Sequence, residues 1–261
     1  MTDKISLMTT ANLLADAARQ ETLRLFRSSG LQSDNKMQGG FDPVTEADRA
    51  SERVMRDLLA LHRPEDGIFG EEFGRSDGTS GYTWVLDPID GTRAFITGSP
   101  TWGVLISVVD ETRPIFGLID QPYIGERFAG GFGLAELSGP RGTMPLKTRT
   151  GLPLDQALLM STYPEVGSPE EYKAFRRVAD RVKLTRYGTD CYGYALLALG
   201  QIDLVIEAGL QPYDVCAPIA VVEAAGGIVT DWSGGPAQNG GQIIAAANPA
   251  IHQAALTLLN G

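Results

Sequence analysis

Apolar residues at helical spacing mark the first part of the chain. They recur between residues 5 and 28, which predicts a first helix. A polar, glycine-rich loop at residues 33–40 follows this helix. Thr45 is a good N-cap for a second helix, whose apolar positions include Val54, Leu58 and Leu61.

Short apolar runs separated by turn residues come after the second helix. They predict strands at residues 83–86, 104–109, 115–119 and 127–129. Together with the preceding segments, they indicate two helices packed on a largely antiparallel sheet. The glycine-rich segment 130–133 favours a hairpin turn over a phosphate-binding loop.

Strands and helices alternate in the second half of the chain. We expect strands near 157–160, 182–185, 202–206, 228–230 and 242–245, and helices near 169–180, 192–199, 215–225 and the C-terminus. This alternation is typical of a layered α/β structure. The loop 138–148 is the expected boundary between an N-terminal α+β half, residues 1–140, and a C-terminal α/β half, residues 141–261. We expect the halves to form one compact unit.

The charge balance restricts the classes of partner. The 261 residues include 22 Lys and Arg against 32 Asp and Glu, which gives a net charge of −10. This balance argues against a nucleic-acid partner or an anionic membrane surface, because both require a basic face. It favours cations, either metal ions or positively charged small molecules. No apolar stretch reaches membrane-spanning length, and we expect a cytoplasmic enzyme.

Few residues are available for histidine or cysteine chemistry. With only His62 and His252, a Ser-His-Asp triad or a histidine-rich metal site is nearly excluded, and we expect both histidines at the surface. Two cysteines, Cys191 and Cys216, form no disulfide framework and lack zinc-finger spacing.

The strongest chemical signal lies in residues 84–92. An apolar strand leads to Asp87 and Asp90, whose hard carboxylate oxygens suit Mg²⁺. Gly91 and Thr92 then open a short helix, where backbone N–H groups can bind a phosphate. The carbonyl of Ile89 can face the same site. The alternative is a strand-to-helix turn in which the aspartates act only as caps.

Other acidic positions supply further carboxylates. Glu71 follows a short apolar segment and is a candidate site carboxylate; alternatively, it lies on a solvated surface turn. Thr45 and Asp48 either support an attacking water or complete a helix cap. Asp214 begins an apolar helix, where it is a metal ligand, an N-cap or both. Together these residues provide enough carboxylates for a multi-metal phosphoryl-transfer site.

Four motifs in a fixed order resemble the inositol monophosphatase family, and the resemblance covers nearly the whole chain. The motifs are residues 42–48, 70–72, 87–92 and 212–214, the last followed by 223–227. The resemblance implies a layered α/β/α/β/α sandwich, a homodimer and a phosphatase that uses two to three Mg²⁺ ions. It places metal ligands at Glu71, Asp87, the Ile89 carbonyl, Asp90 and Asp214.

The resemblance also implies roles in the reaction. Thr92, supported by Glu71, activates the nucleophilic water, and Thr45 and Asp48 support these groups. Gly91 and Thr92 provide phosphate-binding amides. The water attacks phosphorus in line, and no covalent enzyme intermediate is needed.

The substrate signal lies beyond the shared motifs. Residues 186–194 and 207–214 resemble the bacterial and plant histidinol-phosphate phosphatases of the family. Histidinol phosphate carries an ammonium group and a protonatable imidazole, for which Asp190 and Glu207 are the candidate binding carboxylates. The alternatives are a helix cap for Asp190 and a solvated strand end for Glu207. Arg93 and Lys36 remain open between a role at the site and a place on the surface.

Three other functions compete with histidinol-phosphate hydrolysis. The nearest is an inositol or broad-specificity sugar or nucleotide phosphatase with the same machinery. A non-catalytic phosphate- or metal-binding regulator would lack some of the catalytic residues. The motif residues are all present, so this function is disfavoured. A nucleic-acid-binding module is disfavoured by the acidic chain.

Overall fold

The computed structural model describes residues 2–29, 33–35 and 43–261. Asp42, the first residue of one family motif, and Lys36 lie outside the described residues. Within these ranges the helices are α1 (Thr2–Leu25), α2 (Glu46–His62), α3 (Thr92–Thr97), α4 (Pro169–Ala179), α5 (Asp190–Ala198), α6 (Pro212–Ala224) and α7 (Pro249–Leu259). No described helix has both the length and the apolar character needed to cross a membrane.

The strands follow in chain order. They are β1 (Ser33–Asn35), β2 (Pro43–Thr45), β3 (Gly67–Gly70), β4 (Gly74–Ser76), β5 (Thr83–Asp90), β6 (Gly103–Val109), β7 (Pro114–Gln121), β8 (Glu126–Gly131), β9 (Leu134–Gly139), β10 (Gly142–Pro145), β11 (Leu158–Ser161), β12 (Leu184–Tyr187), β13 (Leu204–Leu210), β14 (Ile228–Asp231) and β15 (Gly241–Ala246).

The first large sheet has the strand order β10-β9-β8-β7-β6-β5-β3-β4. Its neighbours are antiparallel except for β3 and β5, so the expected, largely antiparallel sheet is confirmed. Alternate residues of β6 face opposite sides of this sheet. Val104 and Ile106 pack with residues of α1 and α2, whereas Leu105 packs with residues of α5 and α6.

The second sheet has the order β12-β11-β13-β15-β14. Val205 of β13 packs in the same core as α5 and α6, whereas Leu204 and Ile206 pack with Phe175 of α4 and Ile251 of α7. The layers therefore run from α1 and α2 through the first sheet, α5 and α6, and the second sheet to α4 and α7. This arrangement confirms the expected α/β/α/β/α sandwich.

Several local expectations were wrong. The segment 138–148, expected as a loop, contains β10, which pairs with β9 across a turn at residues 140–141; Gly142, the first residue of β10, has a φ of +95°. The strands β3 and β4 were not predicted, because their runs are short and rich in glycine. In contrast, the hairpin expected at 130–133 is confirmed. Phe132 and Gly133 both have positive φ, as a two-residue type I′ turn requires.

The buried face of α2 also differs from the expected one. Met55 and Leu59 are buried on it, whereas Leu61 is 72% exposed. Polar Asp48 and Glu52 share the buried face, so an apolar pattern alone locates it incorrectly. Among the histidines, His62 is exposed as expected. His252 is buried against Thr230, and the expectation of a surface position was wrong for it.

Candidate active site

Three carboxylates from two elements meet at the base of a cavity between the sheets. Asp87 and Asp90 lie at the end of β5, where the register with β6 shifts between them. Asp214 lies in the first turn of α6. One oxygen of each residue lies within 4.8 Å of the others. We call these three residues the carboxylate floor.

Burial and like charge raise the pKa values of two floor carboxyls. For Asp87 burial is the main cause, followed by the charges of Glu71, Asp90 and Asp214. For Asp90 burial is again first, followed by the charges of Asp214 and Asp190. Both pKa values lie well above the ordinary value. The floor is therefore unfavourable in its fully ionised form without a cation.

This donor set fits a hard divalent cation. Converging carboxylate oxygens are the ligands that Mg²⁺ prefers, and a cation would relieve the repulsion that raises these pKa values. The carbonyl oxygen of Ile89, in the turn between two floor residues, accepts from the Thr92 hydroxyl at 3.2 Å. The lining of the cavity includes Ile89.

Asp214 has a structural contact as well as its place in the floor. The N-cap of α6 is Gln211, whose backbone N–H donates to Asp214 Oδ2 at 2.6 Å. The expected alternative of Asp214 as the N-cap itself was wrong, because this residue lies three positions into the helix. The contact with Gln211 fixes the direction in which the carboxylate points.

Glu71 follows β3 directly and lines the same cavity. Its backbone N–H donates to Leu86 O of β5 at 3.2 Å, next to Asp87 in the chain. The Glu71 side chain hydrogen-bonds with Asp87 and contributes to the raised pKa of that residue. The parallel pairing of β3 with β5 therefore brings together two carboxylates that are sixteen positions apart (71 and 87).

Thr45, Asp48 and Thr92 form one connected group. Asp48 Oδ2 accepts from the backbone N–H of Thr45 at 2.8 Å and from its hydroxyl at 2.5 Å, which is a helix capping box. The other oxygen of Asp48 lies 3.4 Å from the Thr92 hydroxyl. Asp48 therefore caps α2 with one oxygen and faces Thr92 with the other, while its support of an attacking water stays a prediction.

One side of the cavity carries polar groups from the second sheet and from the start of α5. The cavity has a volume of about 570 Å³, a size typical of small-molecule sites. Thr162, Asp190 and Glu207 lie along this side, and we call these three residues the cavity wall.

Asp190 begins α5 with a left-handed backbone, φ 45°. Thr101 donates its hydroxyl to Asp190 Oδ2 at 3.1 Å, and α5 has no side-chain cap at its N-cap residue Thr189. Burial raises the pKa of Asp190, while the hydrogen bond from Thr101 and the charge of Arg93 lower it. The carboxylate faces Gly91, where a Cβ would lie 2.7 Å from Asp190 Cγ. Glycine is therefore required at position 91.

Glu207 is 7% exposed, so the expectation of a solvated strand end was wrong for it. Its Oε1 accepts from the Thr162 backbone N–H at 3.0 Å and from the Thr162 hydroxyl at 2.7 Å. Burial raises the pKa of Glu207 to about 8, against the lowering effect of these hydrogen bonds. The sheet pairing of β11 with β13 brings the two residues together.

Arg93 is an exposed residue of α3 that also lines the cavity. Its guanidinium group lies 5.0 Å from the centroid of the Tyr163 ring, and its charge lowers the pKa of Asp190. A surface position and a position at the cavity mouth are therefore both true of this residue.

Sequence reasoning missed several residues of the cavity lining, among them Thr162, Tyr163 and Tyr194. The Tyr194 side chain is buried, and its hydroxyl has no hydrogen-bond partner among the described residues. Tyr194 lies four positions after Asp190, so a helical projection of α5 would have placed both on one face. Tyr163 follows β11 in a loop, where no periodic pattern marks it.

The comparisons with known proteins place the chain in one family. The model of the inositol monophosphatase family matches residues 4–260. A bifunctional phosphatase IMPL2 of Arabidopsis thaliana is 42% identical over 260 residues, covering 95% of this chain and 73% of the relative. A histidinol-phosphatase of Mycobacterium tuberculosis is 34% identical, with 95% of each chain covered.

A solved structure gives the same result for the fold. It is an inositol monophosphatase from Zymomonas mobilis with a TM-score of 0.85 and 41% identity, and 97% of each chain is covered. The family match and the shared fold both cover nearly the whole chain. This chain belongs to the inositol monophosphatase family and is a phosphoric monoester hydrolase.

Proposed function

We propose that this chain is a Mg²⁺-dependent phosphatase that hydrolyses histidinol phosphate to histidinol and phosphate. The observation that carries the substrate is the cavity wall, which adds Asp190 and Glu207 to the carboxylate floor. Histidinol-phosphatases of Mycobacterium tuberculosis and Streptomyces coelicolor, 34% and 32% identical to this chain, support the proposal. Their name also supports a place in histidine synthesis.

The floor is the proposed metal site. Asp87, Asp90 and Asp214, with Glu71 and the carbonyl of Ile89, would hold two to three Mg²⁺ ions. When bound, Mg²⁺ lowers the pKa of a coordinated water and neutralises charge on the phosphoryl group. The surroundings of the floor support this assignment, because burial and then the like charges of neighbouring carboxylates raise the pKa values of Asp87 and Asp90, and a bound cation would offset both effects.

Thr92 is the proposed group that orients the attacking water. Its hydroxyl lies 3.2 Å from Ile89 O and 3.4 Å from Asp48 Oδ1, and it donates to one of these acceptors. The oxygen of Thr92 can then accept a hydrogen bond from water, and Glu71 takes the water proton. The water oxygen bonds to phosphorus as the ester P–O bond breaks, and the leaving alkoxide takes up a proton. Thr45 holds Asp48 in place.

The cavity wall is the proposed site for the cationic part of the substrate. Asp190 accepts from Thr101, and Glu207 accepts from Thr162, so both carboxylates are fixed in position. An ammonium group favours the ionised form of each, so substrate binding lowers the pKa of Glu207 from about 8 and releases a proton. Gly91 and Thr92 offer backbone amides to the phosphate, and Arg93 contributes positive charge at the mouth.

A second candidate is an inositol-1-monophosphatase or a broad-specificity phosphatase. Inositol-1-monophosphatase ImpA of Mycolicibacterium smegmatis is 31% identical to this chain over 262 residues. The fixed carboxylates of the wall also accept hydrogen bonds from hydroxyl groups, although such neutral donors bind more weakly than an ammonium group.

Phosphate release from three esters separates the two candidates. The purified chain with Mg²⁺ is given histidinol phosphate, inositol 1-phosphate or an adenosine bisphosphate. We expect a strong preference for histidinol phosphate, and no release after chelation of the metal with EDTA. Similar rates on all three esters would leave a broad-specificity phosphatase.

Assembly and location belong to the same proposal. We propose a cytoplasmic homodimer, and sedimentation of the purified chain measures the oligomeric state. Cys191 and Cys216 are both buried and free, which is compatible with a reducing compartment.

A further inference from the structure

Glu52 is a fully buried carboxylate on α2, outside the residues assigned above. Its Oε2 accepts from the backbone N–H of Glu72 at 2.6 Å, and its Oε1 accepts from that of Phe73 at 3.2 Å. Arg56, one turn further along α2, donates to Glu52 Oε1 at 2.7 Å. The charge of Glu52 is therefore paired, and the carboxylate is fastened to the turn between β3 and β4.

This turn begins with Glu71. The backbone N–H of Glu71 is bound to Leu86 O of β5, while the next two N–H groups are bound to Glu52. The backbone of Glu71 is thus held by the sheet on one side and by α2 on the other. Arg56 adds two hydrogen bonds between α2 and β4, because it donates to Gly74 O and to the Ser76 hydroxyl.

Gly70 gives an independent sign of how closely the carboxylate approaches. A Cβ at this position would lie 2.0 Å from Glu52 Oε1 and 2.3 Å from Cδ. The φ angle of Gly70 is not in the left-handed region, so space alone excludes a side chain. The strand that leads to Glu71 therefore carries glycine where the Glu52 carboxylate crosses it.

The same face of α2 holds a second part of the site. Asp48 and Glu52 are four residues apart, and side chains at this spacing lie on one helix face. Asp48 faces Thr92, and Glu52 fastens the Glu71 turn. One helix thus connects both elements to which the proposed mechanism assigns water activation.

We infer that Glu52 is a positioning residue, which sets the place of the Glu71 carboxylate beside the floor and thereby the affinity for Mg²⁺. This inference rests on the proposed metal site. Replacing Glu52 with Gln keeps the shape but puts an amide NH₂ against the N–H of Glu72, or against the N–H groups of Phe73 and Arg56. The turn loses one acceptor, so Glu71 loses its fixed position.

Mg²⁺ binding by calorimetry tests the inference. We compare the metal-free wild type with Glu52→Gln and Gly70→Ala, the second of which displaces the carboxylate without removing it. We expect both variants to bind Mg²⁺ about tenfold more weakly, with a matching rise in the Mg²⁺ concentration for half-maximal activity. KM for the ester at saturating Mg²⁺ should stay unchanged.

Asp203→Asn is the matched control. Asp203 is a buried carboxylate that accepts a backbone N–H, from Leu158 at 2.9 Å, and pairs with Arg149. This variant should lose thermal stability and bind Mg²⁺ as the wild type does. Unchanged Mg²⁺ affinity in Glu52→Gln, or an equal loss in Asp203→Asn, would overturn the inference. A wild type that binds no Mg²⁺ would contradict the proposed metal site instead.

Amide hydrogen exchange of the metal-free wild type tests, without any variant or metal, whether Glu52 holds the turn that begins with Glu71. The inference expects slow exchange at Glu72 and Phe73, because both N–H groups are bound to a buried carboxylate. Rapid exchange at both amides would overturn it, whether or not the variants fold.

Discussion

The carboxylate floor and the cavity wall contain the same kind of group in different surroundings. The floor carboxyls crowd one another, and the pKa values of Asp87 and Asp90 rise through burial and mutual repulsion. In the wall, Asp190 and Glu207 each accept hydrogen bonds from a threonine. Burial raises the pKa values of the wall carboxyls too, but the threonine hydrogen bonds act against that rise, whereas in the floor repulsion among converging carboxylates adds to it. We assign chemistry to the floor and selectivity to the wall.

Asp90→Asn breaks the floor and should have the largest effect. The amide keeps an acceptor for the Cys191 N–H, which donates to Asp90 Oδ2 at 2.6 Å, but removes a ligand charge. We expect kcat to fall on the order of 10³-fold for every ester, and calorimetry should show weakened Mg²⁺ binding.

Asp66→Asn is the matched control for this change. Asp66 is a buried carboxylate that accepts from Trp84 Nε1 and pairs with Arg63, away from the cavity. This variant should keep its Mg²⁺ affinity. Near-normal turnover by Asp90→Asn would remove the floor from the mechanism.

Thr92 is a neutral residue beside the floor, so its replacement separates water orientation from metal binding. Thr92→Val keeps the shape and removes the hydroxyl that faces Asp48 and Ile89. We expect kcat to fall about 10²-fold with Mg²⁺ affinity unchanged, and Thr92→Ser should restore most of the activity. A valine variant within about threefold of the wild-type rate would show that this hydroxyl does not orient the water.

Glu207 gives the smallest effect of this series, which is measured as the stability of the metal-free protein. Its folded pKa of about 8 lies above the ordinary value of 4.5, so the folded state keeps a proton that the unfolded state loses. The metal-free protein should therefore lose stability as pH rises from about 4.5 to about 8.

Thermal melting in EDTA, from about pH 5 to about pH 8.5, measures this loss of stability. Glu207→Gln should flatten the decline, since the amide oxygen still accepts from Thr162. A decline as steep as that of the wild type would mean that Glu207 is ionised in the folded protein.

The floor was predictable from the sequence because most of it is contiguous. Asp87 and Asp90 lie in one strand-to-helix segment, and only Asp214 comes from elsewhere. The wall was harder to predict. Sheet pairing brings Glu207 into contact with Thr162, which lies forty-five positions away. The sequence does not indicate that a single polar residue at a strand end is buried.

The helix α2 shows another limit. Its buried face combines Met55 and Leu59 with Asp48 and Glu52, so hydrophobic periodicity assigned the wrong apolar positions. Buried carboxylates interrupt the pattern from which the face is inferred. The prediction of a layered fold was nevertheless correct. It depends on the order of elements along the whole chain and on the family resemblance, and errors at single positions affect it little.

Asp190→Asn tests the division between floor and wall most directly. The measurement is kcat/KM for histidinol phosphate and for inositol 1-phosphate, in the wild type and in the variant, at saturating Mg²⁺. We predict a loss of about 10- to 100-fold for histidinol phosphate, because the amide oxygen still accepts but lacks the charge that strengthens a hydrogen bond from an ammonium group, and less than about threefold for inositol 1-phosphate. Equal losses on the two esters would contradict a wall that selects by charge.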